Sequence, residues 1–128
     1  MQDQRCPVLL VEDEALIRMM LAAEFEDAGF DVHEAGSADE AVDLLTAGLV
    51  VRVVVTDVRM PGRIDGLGLT AWLADHRPGL PVVITSGYAT APEAARLNAA
   101  LAAIIPKPYS PSGVVARVAN AVLKGRAA

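Results

Sequence analysis

Four short runs of β-branched and aliphatic residues, at 8–11, 50–55, 82–85 and 102–105, constrain the fold of this chain more than any other feature. Apart from Arg52 in the second, each is apolar or β-branched along its length rather than at alternate positions, the pattern of a strand buried on both faces. A weaker segment at 30–34 sets Phe30 and Val32 against Asp31 and His33 and reads as a half-exposed edge strand. Helical patterns fill the gaps. Residues 15–28 carry Leu16, Met20 and Ala23 on one face, with Gly29 as the stop signal. Ser37 followed by Glu40 is a capping-box signature for a second helix running to Gly48. Residues 66–76, with Leu69, Trp72 and Leu73, form a third, closed by Arg77, Pro78 and Gly79. The Ala-rich stretch at 91–101 is the fourth. Ser110 before Pro111 opens the fifth, which carries Val114, Val115, Val118, Ala121 and Val122.

Five strands alternating with five helices call for a parallel sheet covered on both faces, because each crossover lays its helix back on the sheet. The expected architecture is a doubly wound α/β sheet of strand order 2-1-3-4-5. At 128 residues, 53% of them hydrophobic, the chain reads as one domain over 1–128 that buries a core without disulfides or a structural metal. No linker, repeat or low-complexity tract appears, so no output domain is expected. The net charge of -5, with Lys and Arg unclustered, argues against a nucleic-acid partner. Cys6 is the single cysteine, which excludes an intramolecular disulfide and a Cys-based zinc site. No apolar run reaches the roughly 18 residues of a membrane span, and no secretory signal is recognisable. A soluble cytoplasmic protein without a membrane partner is expected.

In a doubly wound sheet the functional crevice lies beyond the carboxyl ends of the strands, where the strand order reverses. Glu12 and Asp13 follow the first run, Asp57 the second, Ser86 the third and, past Pro106, Lys107 the last. Carboxylates that face one another raise each other's pKa, a cost removed by a hard divalent cation with oxygen ligands. Mg²⁺ is the expected cofactor, and its preference for phosphate oxygens implies a phosphate-bearing reactant. Asp57 is placed to attack phosphorus and form an aspartyl phosphate, with Lys107 neutralising oxygen charge and Ser86 offering its hydroxyl. Singly, each residue has a plainer reading. Glu12, Asp13 and Glu14 could complement a helix N-terminus, Asp57 could cap a turn, Ser86 could begin a helix, and Lys107 could be solvated. Their convergence on one sheet edge favours the site.

The stretches Val8-Leu-Leu-Val-Glu12-Asp13-Glu14, Val53-Val-Val-Thr-Asp57-Val-Arg-Met-Pro61, Pro81-Val-Val-Ile-Thr-Ser86-Gly87 and Lys107-Pro108 together resemble a two-component response-regulator receiver domain, across essentially the whole chain. The resemblance implies a flavodoxin-like fold with Asp57 as phosphoacceptor. It also implies Mg²⁺ ligation by Asp13 and Asp57, with help from Glu12 and the backbone carbonyl of Arg59. Ser86 is then the switch hydroxyl, Lys107 the phosphate-binding lysine, and the Lys107–Pro108 peptide cis. The implied donor is a sensor histidine kinase or histidine phosphotransfer protein, and the target is an unknown downstream protein. A homodimer through the 91–101 helix, the fifth strand and the last helix is a candidate assembly. On this reading the chain is a switch rather than an enzyme, apart from Mg²⁺-dependent self-phosphorylation from a donor and slow autodephosphorylation.

Two departures stand out. Most receivers carry an aromatic three residues before the lysine, and here that residue is Ile104. Residues 81–88 instead resemble a subgroup of mostly single-domain receivers with Ser or Thr followed by Gly-Tyr. Tyr88 is thus either a replacement readout or an anchor, and with Arg59 it would govern access to the phosphoryl group. The loop at 61–66 is one residue longer than the common pattern. Two rival readings stay open. A phosphorylation-independent receiver-like binding module is allowed by Ile104 but opposed by the complete set Glu12, Asp13, Asp57, Ser86 and Lys107. A Mg²⁺-dependent phosphatase with an aspartate nucleophile is opposed by Arg59, which stands where a general acid would be, and by the lack of a lid. His33 and His76 read as structural, the latter at a helix C-terminus, and Trp72 as core.

Overall fold

The apolar runs pair as neighbouring strands of one parallel sheet in a computed structural model that describes residues 5–86, 96 and 98–127. The strands β1 (Cys6–Val11), β2 (Phe30–Ala35), β3 (Val53–Asp57), β4 (Val82–Ser86) and β5 (Leu101–Pro106) lie in the order β2-β1-β3-β4-β5. Between and after them run α1 (Ala15–Asp27), α2 (Ala38–Thr46), α3 (Gly66–His76) and α4 (Pro111–Ala127). The order reverses between β1 and β3, which pair from Val8 with Val53 to Val11 with Thr56.

Successive strand residues point to opposite faces, so each central strand feeds two cores. Val8, Leu10, Val53, Val55 and Val83 pack with Leu21 and Phe25 of α1 and Val114, Val118 and Val122 of α4. Leu9, Val11, Val54, Val82 and Ile84 pack with Ala41 and Leu45 of α2 and Leu69 and Leu73 of α3. This two-sided burial is why the central runs show no alternation in the sequence.

The helix signals act as expected at most ends. The Ser37 hydroxyl accepts from the Glu40 amide at 3.1 Å, and the Glu40 carboxylate accepts from the Gly36 amide. The reciprocal bond of this capping box thus reaches one residue before the cap. Gly29 follows α1 with φ +94°, a left-handed conformation that closes the helix at little cost only for glycine. The Ser110 hydroxyl accepts from Gly113 at 3.0 Å, capping α4 behind Pro111.

Four expectations are corrected. First, the chain has four helices among the described residues rather than five. Residues 91–95 and 97 of the expected 91–101 helix lie outside the described residues, and Leu101 is already the first residue of β5. Second, β3 begins at Val53 and not at residue 50. Val50 is 79% exposed, whereas ladder pairing carries β3 through Thr56 and Asp57, opposite Ile84 and Thr85. Third, β5 is an edge strand, fully buried only at Ile105 and partly buried at Leu101, Ala103 and Ile104, and it carries an irregularity opposite Val82 and Val83. Fourth, α1 turns the other way. It buries Leu21, Ala22 and Phe25, while Leu16, Met19 and Met20 are exposed. Apolar residues occur all round this helix, so periodicity could not select the inward face. Phe25 does so by meeting Phe30 of β2 edge to face, with ring centroids 5.2 Å apart.

Candidate functional site

The carboxyl ends of β1, β3, β4 and β5 bring the singled-out polar residues to one edge. Asp57 is the last residue of β3 and is buried, with its main chain held from several directions. The Thr56 hydroxyl donates to the Asp57 carbonyl at 2.9 Å, the Val58 amide donates to Thr85 and the Gly66 amide donates to Val58. Gly66 opens α3 against this turn so closely that a Cβ there would fall 1.9 Å from the Asp57 carbonyl oxygen. Only glycine fits, and the close approach fixes where α3 starts.

Lys107 reaches Asp57 from the end of β5, its Nζ donating to Asp57 Oδ2 at 2.7 Å. The Lys107 amide donates to the Ser86 carbonyl at 2.9 Å, and the Lys107–Pro108 peptide is cis as expected. Burial pulls the Lys107 ammonium down, but the Asp57 bond and charge outweigh it and leave its pKa above the ordinary value. Ser86 closes β4 and is buried beside this junction.

Glu12 and Asp13 complete the cluster from the β1–α1 turn. One carboxylate oxygen each from Glu12, Asp13 and Asp57 lies within 4.8 Å of the others, an all-oxygen donor set able to hold a hard cation. Glu12 is 3% exposed and its main-chain amide donates to Ala35 at 3.0 Å. Burial pushes its carboxyl up to about 7, with the charges of Asp57 and Asp13 adding to the shift and the hydrogen bond from the Glu14 amide opposing it.

Of the remaining expected residues, Arg59 follows β3 in the loop above the site, and Ile104 is partly buried on the α2 and α3 side of the sheet. Tyr88 lies outside the described residues. His33 and His76 are remote, as expected. His33 pairs with Asp31 on β2, and His76 donates to the Trp72 carbonyl at 2.9 Å near the end of α3. Trp72 is only partly buried and stacks on His76, 4.3 Å between centroids, so it is a flank of the core rather than its centre.

Two residues near the site escaped the sequence reading. Tyr109 lines an apolar groove of about 480 Å³ beside Lys107, with Ile17, Met20, Pro108 and Pro111. Burial and the nearby Glu12 charge raise its phenol pKa. Arg18 of α1 donates from Nη1 to the Glu12 carbonyl at 2.7 Å and from Nε to Glu34 Oε1 at 3.1 Å. A signal for Arg18 existed, since a cation in the first turns of a helix opposes the helix dipole and calls for a local partner.

The sequence matches the response regulator receiver domain family over residues 8–119. The chain belongs to that family. The receiver is 40% identical over 105 residues to the sensor kinase CckA of Brucella abortus, covering 80% of this chain and 11% of that protein. It is 37% identical over 122 residues to the transcriptional regulatory protein PdtaR of Mycobacterium tuberculosis, covering 93% of this chain and 58% of that one. The receiver thus spans only part of these relatives. The crystal structure of NtrX from Brucella abortus superposes with a TM-score of 0.85 at 27% identity, covering 97% of this chain and 28% of NtrX. A CheY-like receiver from Methanospirillum hungatei, at 22% identity and a TM-score of 0.85, shares the fold over 97% of this chain and 98% of its own. Such a receiver is a phosphorylation-dependent switch of a two-component system. No helix among the described residues is long and apolar enough to cross a membrane.

Proposed function

We propose that this receiver takes a phosphoryl group on Asp57 and thereby changes its affinity for a protein target. The supporting observation is the contact between Asp57 and Lys107, at 2.7 Å, inside a three-carboxylate cluster at the sheet edge. One Asp57 oxygen attacks phosphorus, the bond from phosphorus to the donor's leaving atom breaks, and an acyl phosphate forms. For a histidine kinase or histidine phosphotransfer protein the bond broken is P–N, and the imidazole leaves with its electron pair. Lys107 stays beside the modified oxygens as a fixed positive charge, and the Ser86 hydroxyl donates to a phosphoryl oxygen.

Mg²⁺ fits the oxygen donors of Glu12, Asp13 and Asp57, with the Arg59 carbonyl as a further ligand, and when bound it supplies charge neutralisation for the incoming phosphoryl group. The ordinary chemistry is therefore one self-directed transfer followed by slow hydrolysis, with no separate substrate. Arg59 and Tyr88 govern access to the acyl phosphate. Ile104 has no aromatic ring to swing inward, so the readout differs from that of receivers with an aromatic there. The test is intact mass after incubation with Mg²⁺ and acetyl phosphate. One phosphoryl adduct on the native chain is expected, absent from Asp57→Asn and absent with EDTA. An adduct that survives in Asp57→Asn would sink the assignment.

A further inference from the structure

We infer that Arg18 is a positioning residue for the cation site: its guanidinium fork fixes the β1–α1 turn so that Glu12 and Asp13 present their carboxylates to the metal. The inference rests on the cation reading above and adds a residue that touches neither cation nor phosphoryl group.

The β1–α1 turn has to hold Glu12 and Asp13 against Asp57, an arrangement their mutual repulsion opposes. A turn left to itself would swing the carboxylates apart. Two main-chain bonds prevent this at Glu12. Its amide donates to Ala35 at the end of β2, and its carbonyl accepts Arg18 Nη1 at 2.7 Å. Arg18 is itself tied down, because Nε donates to Glu34 Oε1 at 3.1 Å and the side chain is only 23% exposed. One planar side chain thereby links the turn, α1 and β2.

The geometry requires arginine rather than positive charge alone. Nε and Nη1 of one rigid plane reach a carbonyl and a carboxylate on two different elements, whereas a lysine ammonium is a point donor on a flexible stem. The position also runs against local preference. Arg18 stands in the first turns of α1, where the helix dipole disfavours a cation, and the two acceptors offset that cost. A turn already held in its binding arrangement loses little freedom when a cation arrives. Groups that orient metal ligands from behind typically change affinity 10–100-fold when removed.

The test is Mg²⁺ titration of the full chain followed in ¹H–¹⁵N spectra, comparing the native chain with Arg18→Ala, Arg18→Lys and Asp57→Asn. The same spectra report whether each variant is folded. Arg18→Ala is expected to weaken the Mg²⁺ Kd about tenfold or more while keeping dispersed amide signals. Arg18→Lys is expected to recover the unfolding midpoint but to remain several-fold weaker in Kd. A merely structural role would lower the midpoint of Arg18→Ala and leave its Kd unchanged, and a folded Arg18→Ala within twofold of native overturns the inference. Should Arg18→Ala not fold, Arg18→Lys decides, a Kd within twofold of native being the overturning result. A native chain that fails to titrate, or an Asp57→Asn variant that titrates like it, removes the cation reading itself and the inference with it.

Discussion

Glu12 carries a cost that the fold tolerates for the sake of its site. With its carboxyl pushed up to about 7 from an ordinary 4.5, the folded metal-free chain holds a proton that the unfolded chain has already released across that interval. Stability from this group is complete below the lower value and is lost as pH rises through the upper one, by about 3 kcal/mol in all. Urea unfolding in EDTA should show native stability falling between pH 5 and pH 8, with the fall much reduced in Glu12→Gln. An equal slope in both would assign the effect to another group. Lys107 is the opposite case, a charge whose partner is already in place. Lys107→Ala should slow phosphoryl uptake from acetyl phosphate by at least about tenfold, read as the rise of the adduct mass with time. At this scale the sequence was informative wherever a polar residue ended an apolar run, as at Asp57 and Lys107. At Arg18 it offered only the cost of a cation in the first turns of α1, because one of the two acceptors is a main-chain carbonyl and leaves no mark in the residue types.

Among the elements, α3 is the one seated most tightly on the site. Its first residue, Gly66, leaves no room for a Cβ above the Asp57 carbonyl, so Gly66→Ala has to displace either the helix or the acceptor strand. Gly66→Ala should lower stability by more than about 2 kcal/mol in urea unfolding and reduce phosphoryl uptake as well. A variant as stable as the native chain would mean that α3 can shift freely. The cap of α2 is a milder lock, and Ser37→Ala should cost about 1 kcal/mol without changing uptake. Helix ends were legible because Ser37, Gly29 and Pro111 act through local backbone chemistry. The inward face of α1 was not, since its choice depends on Phe30, five residues beyond Phe25 and on another element. The start of β3 was misplaced because Val50 and Val51 are as apolar as the strand, although exposed Arg52 marks the break before Val53.

For the whole molecule, strand order followed from alternation and the rules of crossover connections, and pairing bears it out across all five strands. The molecule should also respond as a unit to its cation. Mg²⁺ at about 100 times its Kd contributes about 2.7 kcal/mol, which for a chain of this size raises the thermal midpoint by about 10 °C. Scanning fluorimetry with Mg²⁺ and then excess EDTA should show the rise and its reversal, and Asp57→Asn should show little of it. The residues that meet at the sheet edge are drawn from far apart along the chain: Glu12 and Asp13 come early, Asp57 midway, and Lys107 50 positions later. During synthesis the acids therefore emerge well before the cation that answers them, and a chain that has not yet laid β5 into place holds Asp57 without its lysine. Laying β5 against β4 is thus the step that brings Lys107 to Asp57, and a half-folded chain lacks that contact.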